Sequence, residues 1–558
     1  MSEPGTGRKL LGQILKAKGL VREAQIQEAL AEQRKRGGLL GQLLVTLGHC
    51  TSADVAAALA EQAGLAAVDL SRARPSPEAL AKVDASTAHA YCVLPLELSG
   101  SRLKVAIADP LNTAVLEDLA FQTGLAIDGA VADQATLKAK VQEFYGEEGS
   151  LADAIAAAAA VSGSDPEKAA QSAPVVRLLN SILHRAIADR ASDVHFEVFP
   201  KELRVRYRVD GSLYEIEAPP VHLAAPLLAR IKVMSDLDIA ETKMPQDGRI
   251  ALSIDGRPVD LRVATLPGIG GEGCVLRVLD RSAVSLDLVA LGMAADDVEA
   301  LSEMTQLPHG IVLVTGPTGS GKTTTLYAML NQANDAAVKI ITVEDPVEYD
   351  IDGIVQVPIN EEIGVTYPKV LRTVLRQDPD KILVGEVRDA ETAQVAVEAS
   401  LTGHTVFATV HTNDAPSAIT RLVDLGLEPF LITATLEAVV AQRLVRRVCP
   451  GCRTGYQPDE DLLREFGTDA ARLRGTTLYY GKGCEQCFHT GYRGRTAICE
   501  IMRIDPELRR AILAGSSTAE VRERACRAGM RPLRESGLRA VLEGVTTLEE
   551  VRRETMSL

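Results

Sequence analysis

Short apolar runs rich in β-branched residues punctuate the second half of the chain. GIVLV (310–314), KIITV (339–343), KILV (381–384) and TVFATV (405–410) are each sized for a strand buried on both faces. Stretches with helical spacing lie between them, beginning with TTTLYAMLNQAN after the first run. Strands alternating with helices predict a parallel sheet covered by helices. Upstream, VVRLLNSILHRAIADR has helical periodicity. ELRVRYRVDGSLYEI (202–216) alternates strictly and turns at Asp210-Gly211, a hairpin signal. RLKVAIA (102–108) reads as a short strand among helices.

The N-terminus repeats itself. KLLGQILKAKGL...ALAEQ (9–33) recurs as GLLGQLLVTLGH...ALAEQ (38–62), with Leu11, Gly12, Gln13, Leu15 and Gly19 mapping onto Leu40, Gly41, Gln42, Leu44 and Gly48. Each copy reads as two short helices with a glycine break, and two copies can bury their apolar faces against each other. GSLADAIAAAAAVSGSDPEKAAQSA (149–173) is rich in Ala, Ser and Gly and reads as a linker, helical in part. The expected organisation is an N-terminal domain (1–148), this linker, an arginine-rich α/β domain (174–285) and an α/β domain of alternating strands and helices (286–445). A cysteine-bearing element (446–500) and a helical end (501–558) follow.

A chain of 558 residues has room for three or four domains. Its formal charge of −15 argues against a general nucleic-acid binder, which needs a basic surface. No stretch approaches the roughly 18 apolar residues of a membrane span, and the longest apolar run is AIAAAAAV (154–161). Lysines interrupt the apolar residues of MSEPGTGRKLLGQILKAKG, so no signal peptide is expected. The expectation is a cytosolic chain with its nine cysteines mostly reduced.

GPTGSGKTTTL (316–326) fills the pattern G-x-x-x-x-G-K-[ST] with Gly316, Gly321, Lys322 and Thr323, between a predicted strand and a predicted helix. Such a loop curls its backbone N–H groups around an anion, and the helix N-terminus adds partial positive charge. The residues from Gly316 through Pro317, Thr318, Gly319, Ser320 and Gly321 to Lys322, Thr323 and Thr324 read as a nucleotide cradle. Lys322 reaches for the β- and γ-phosphates of ATP, and Thr323 for Mg²⁺.

Carboxylates are needed beside such a cradle, and two strands supply them at their ends. KIITVEDPVEYD ends in acids, so Glu344 or Glu348 would deprotonate the attacking water. KILVGEVRD ends in Glu386, which would hold Mg²⁺ through water. HTVFATVHTND (404–414) ends in polar groups that could sense the γ-phosphate; His411 and His404 are both candidates, set against the ordinary structural role of a lone histidine.

CPGC (449–452) and CEQC (484–487) are paired C-x-x-C motifs. Cys449, Cys452, Cys484 and Cys487 can close a tetrahedral thiolate shell around Zn²⁺, with residues 453–483 looping out. Cys50, Cys92, Cys274, Cys499 and Cys526 read as packing residues.

GPTGSGKTTTLYAML, ITVEDPVEY, LRQDPDKILVGEVRDAETA and TGHTVFATVHTNDA occur in this order, and together they resemble the ATPases of type II secretion and type IV pilus assembly. PVVRLLNSILHRAIADRASDVHFE, MPQDGRI and GMRPLRESGLRAVLEGVTTLEEV extend the resemblance over nearly the whole chain. It implies a RecA-like ATPase core behind a PAS-like α/β domain, working as a cytoplasmic homohexamer peripheral to the inner membrane. It also implies a membrane platform protein and a cytoplasmic-domain adaptor as partners, extrusion of pilin-like subunits as the work, Glu348 as catalytic glutamate and Glu386 as Walker B acid. Arg262 and Arg277, in an arginine-dense stretch, are the favoured phosphate contacts. Pro368 departs from the family pattern near a helix start. The N-terminal repeat resembles tandem motifs that bind cyclic di-GMP, but Leu10 and Leu39 stand where those motifs carry arginine, with Arg8, Lys9 and Arg36 as possible substitutes. A RecA-like nucleic-acid motor and a cyclic-di-GMP-regulated ATPase of mainly regulatory role are the alternatives.

Overall fold

The structure, a computed structural model, describes residues 10–36, 39–70, 73–83, 85–110, 113–145, 151–160, 166–254, 257–280, 286–459 and 473–555. The chain divides into two compact units, Met1–Val284 and Ser285–Leu558.

In the first unit the repeat forms two helical pairs, Leu11–Ala17 with Glu23–Arg36 and Leu40–Thr46 with Ser52–Ala63. Gly19 and Gly48, just past the first helix of each pair, adopt φ of +71° and +73°, which a side chain would resist. The first helix of each copy packs on the second helix of the other. Ile14, Leu15, Ile26, Ala29, Leu44 and Ala58 form their shared core. A four-stranded sheet follows, ordered Ala66–Ala67, Ala126–Val131, Arg102–Ile107, Val93–Ser99.

The alanine-rich stretch expected as a linker contains a packed helix, Leu151–Ala159. Leu151, Ile155 and Ala158 share one face and enter a core with Val175, Leu178 and Leu179 of the helix Ala173–Ala188. Small alanines let the two helices approach, so burial rather than propensity orders the segment. That core lines a six-stranded antiparallel sheet ordered Ser212–Glu215, Leu203–Val209, Asp193–Val198, Gly271–Asp280, Arg257–Gly268, Gln246–Ile254. Leu203, Val205, Tyr207 and Val209 face inward while Arg204, Arg206 and Arg208 alternate outward. Asp210 and Gly211 both take positive φ, the geometry of a tight hairpin turn.

The second unit is built on seven strands: β1 (Gly310–Thr315), β2 (Ile340–Glu344), β3 (Val355–Pro358), β4 (Lys381–Val384), β5 (Thr405–Val410), β6 (Leu436–Val448) and β7 (Tyr492–Arg503). Their order is β3-β2-β4-β5-β1-β6-β7. All neighbours run parallel except β6 and β7. β1, β2 and β5 are buried at every position, as their unbroken apolar runs require. The cysteine-bearing segment lies between β6 and β7, two hydrogen-bonded neighbours of this sheet. Pro368 sits in the first turn of the helix Tyr367–Val374, where its missing N–H is no loss.

Candidate active site

The loop after β1 turns through Gly316, Gly319 and Gly321, with φ of +149°, +80° and +85°. A Cβ on Gly316 would come within 2.6 Å of the Gln442 carbonyl oxygen, and one on Gly321 within 2.9 Å of Gln442 Nε2. Glycine is therefore required by space as well as by backbone angle. The loop opens the helix Lys322–Ala333, so its N-terminal N–H groups face the same hollow. Lys322 Nζ donates to the carbonyls of Gly316 (2.9 Å) and Pro317 (3.1 Å), folding over the loop. Burial pulls the Lys322 ammonium below its ordinary value, with the Glu386 charge opposing. Pro317, Thr318, Gly319 and Thr323 are exposed, as a cradle open to a ligand must be. Ser320 Oγ is buried with no hydrogen-bond partner among the described residues.

β4 and β5 are neighbours, so the residues after them meet. Glu386 Oε1 lies 2.9 Å from His411 Nε2, and its Oε2 lies 2.7 Å from an Arg388 guanidinium nitrogen. Burial pushes this carboxyl up, but the Arg388 hydrogen bond and the charges of His411 and Lys322 outweigh it and hold Glu386 below the usual range. His404 does something else: its Nδ1 sits 2.9 Å from the Ala399 carbonyl at the end of the preceding helix.

The two acids after β2 differ. Glu344 is 3% exposed and receives hydrogen bonds from Tyr327 Oη, Thr342 Oγ1 and Gln356 Nε2. Burial and that neighbouring carboxylate push the Tyr327 hydroxyl well above its ordinary value, so it stays a donor. Glu348 is half-buried, and its backbone N–H donates to the same Tyr327 Oη at 3.3 Å.

Several residues of this site escaped sequence reasoning. Gln442 and Arg443 lie on β6 inside the apolar run AVVAQRLV. Gln442 Nε2 donates to the Ser320 carbonyl, and Arg443 donates to Asn413 O (2.9 Å) and Oδ1 (3.3 Å), just past His411. Thr315 Oγ1 and Thr412 Oγ1, 2.8 Å apart, join the ends of β1 and β5. Two polar residues inside a buried strand were the available signal. Arg262 and Arg277 belong to the first unit, directly opposite each other on adjacent strands; Arg277 Nε is bonded to Asp193 Oδ1 at 3.2 Å.

The four predicted cysteines converge. Their sulfurs all lie within 4.8 Å of one another. Cys449–Cys484 and Cys452–Cys487 are 3.8 Å apart and Cys484–Cys487 3.7 Å. Zn–S bonds of about 2.3 Å in a tetrahedron give edges of about 3.8 Å, so the sulfurs fit that ion's shell. Burial pushes the Cys487 thiol up, but the N–H groups of Cys484 and Gly491, 3.2 and 3.3 Å from its sulfur, hold it down at about 6.

Comparison with known proteins fits this geometry. Residues 168–553 match the family described as "Type II/IV secretion system protein", and residues 63–151 match the MshEN domain. The type IV pilus assembly ATPase PilB of Myxococcus xanthus is 42% identical over 557 residues, 97% of this chain and 98% of that protein. Type II secretion system protein E of Pseudomonas aeruginosa is 52% identical over 383 residues, 69% of this chain and 76% of that protein. The crystal structure of the ATPase DotB of Legionella pneumophila shares the fold, with a TM-score of 0.51 at 20% identity over 68% of this chain and 95% of that one.

Proposed function

The chain belongs to the type II/IV secretion system protein family and is an ATPase, and on that premise we propose that it is a cytoplasmic hexameric motor for assembling pilin-like subunits. It acts from the inner face of the membrane, on a platform protein held there and through a cytoplasmic adaptor. The observation that carries this reading is the meeting of Glu386 and His411 beside the loop of Lys322, at the ends of neighbouring parallel strands.

Lys322 and the backbone of residues 316–323 bind the triphosphate. Thr323 and Glu386 are the residues that would hold Mg²⁺, which supplies charge neutralisation on the phosphoryl oxygens when bound. Arg388 and His411 fix the Glu386 carboxylate. Glu348 takes the proton of the attacking water, because Glu344 already accepts three hydrogen bonds in the interior. Arg262 and Arg277 reach phosphate across a subunit boundary in the ring. The four cysteines hold Zn²⁺ as a scaffold, since four thiolates fill its shell.

The N-terminal module reads as an adaptor-docking domain. Leu10 and Leu39 are exposed, and neither offers a guanidinium to a cyclic dinucleotide. Arg8, Lys9 and the Arg36 side chain lie outside the described residues. Micromolar binding of cyclic di-GMP in calorimetry would replace this reading with a sensor. The motor reading is tested by ATPase rate per chain against protein concentration. The rate rises as the ring assembles; full activity in a dilute monomer overturns the ring.

A further inference from the structure

The connection between β2 and β3, residues 345–354, forms neither helix nor strand, and it carries Glu348. Backbone groups in such a segment need partners outside the regular ladders. Side chains supply several. The Glu348 N–H donates to Tyr327 Oη at 3.3 Å, and the Ile351 N–H donates to Gln356 Oε1 at 2.8 Å. The Tyr349 carbonyl accepts from Gln356 Nε2 at 2.9 Å, and the Asp352 carbonyl accepts from Asn334 Nδ2 at 2.7 Å.

Tyr327 and Gln356 share one anchor, the buried Glu344 carboxylate. Tyr327 donates its hydroxyl hydrogen to Glu344 Oε2. With that hydrogen committed, the oxygen's lone pairs are left for the Glu348 N–H. Gln356 Nε2 donates to Glu344 Oε1 at 3.1 Å as well as to the Tyr349 carbonyl. Its amide has one workable orientation, since a flipped group would set its oxygen against a carboxylate and a carbonyl. Glu344 therefore orients both side chains, and both grip the backbone at Glu348 and just after it.

The grip is referenced to the phosphate loop. Tyr327 lies on the helix Lys322–Ala333, which opens at that loop, and Asn334 ends the same helix. Gln356 lies on β3, opposite Thr342 of β2. Tyr327 is wholly buried, so it meets no nucleotide itself and acts through the segment it holds. A misplacement of about 1 Å at a reacting group can cost about 100-fold in rate, and supporting hydrogen bonds set that precision.

We propose that Tyr327 and Gln356 are positioning residues for ATP hydrolysis: pinned by Glu344, they hold the Glu348 backbone where its carboxylate meets the attacking water. The proposal rests on the reading of Glu348 as the base.

The test is steady-state hydrolysis by full-length variants, with affinity measured separately by equilibrium binding of a non-hydrolysable ATP analogue. Tyr327→Phe removes one oxygen and keeps the ring. Gln356→Leu removes the amide from a half-buried edge strand, and it decides alone if Tyr327→Phe does not fold. Each is expected to lower kcat by about fivefold or more, with KM for ATP and analogue affinity kept within about threefold. In a Glu348→Gln background each is expected to change the residual rate by less than about twofold, because nothing is left to place. A smaller loss of kcat in the folded single variants overturns the proposal. So does a loss that persists in the Glu348→Gln background, or a fall in affinity in step with kcat, which marks a merely structural role. These three outcomes leave the base assignment standing. Normal turnover in Glu348→Gln alone removes that assignment, and the proposal with it.

Discussion

Gln442 Nε2 donates to the Ser320 carbonyl at 2.7 Å, and so a strand more than a hundred residues downstream braces the phosphate loop. The same amide accepts from Thr325 Oγ1 at 2.9 Å, in the first turn of the helix after the loop. Gln442→Leu strands both partners in the interior, at about 1–3 kcal/mol for each buried unsatisfied group. The expected outcome is a raised KM for ATP with a smaller change in kcat, read from steady-state hydrolysis.

Glu348→Gln is expected to lower kcat by about 100-fold or more, the usual worth of a positioned general base, while nucleotide affinity is kept. Glu344→Gln disturbs the hydrogen bonds with Tyr327, Thr342 and Gln356 and is expected to lower the melting temperature first. Normal turnover in Glu348→Gln, with loss in Glu344→Gln, would transfer the base to Glu344.

Equivalent glycines of the N-terminal repeat are not equivalent in space. A Cβ on Gly41 falls 2.6 Å from Val55 Cγ1, whereas one on Gly12 finds its nearest neighbour, Ile26, at 3.5 Å. Gly41→Ala is expected to destabilise the helical module by about 1–3 kcal/mol through overpacking, and Gly12→Ala by far less. Thermal melts of the two variants, followed by protection of the module from proteolysis, check the difference.

Asp296 and Asp297 sit side by side with opposite shifts. Burial, then the Asp296 charge, pushes Asp297 up to about 6, whereas the hydrogen bonds of Arg531 and Arg539 outweigh burial and hold Asp296 near 2. An unfolded Asp titrates near 3.9. Between about pH 4 and 6 the folded chain keeps a proton that the unfolded chain has lost, so stability falls as pH rises through that window. Asp297→Asn is expected to raise stability at pH 7.5 by about 2–3 kcal/mol and to change little at pH 3.5. Urea midpoints at the two pH values decide it.

One zinc per chain is the expected result of metal analysis on protein purified without chelator. Cys449→Ser is expected to lose that metal and to lower the melting temperature, because the cysteine segment joins β6 to β7 in the same sheet as the phosphate loop. Acidification is expected to release the ion, since thiolates must protonate as pH falls. A metal-free protein of unchanged stability would remove zinc from the account.

The chain's local patterns carried a great deal of this. Strand runs, the phosphate loop, the Asp210-Gly211 hairpin, the doubled helical hairpin and the cysteine pairs each depend on residues close in sequence, where period, turn chemistry and spacing act directly. Family membership followed from the order of those segments. Tertiary structure alone decided the rest. Leu151–Ala159 became a packed helix because Val175, Leu178 and Leu179 offered it an apolar face. Glu344 and Glu348, four residues apart, took different surroundings because Tyr327 and Gln356 closed around the first. Gln442 met Ser320 because β6 lies beside β1. Burial and hydrogen bonding between distant residues exist only after the sheet has brought them together, and no periodicity along the chain encodes them.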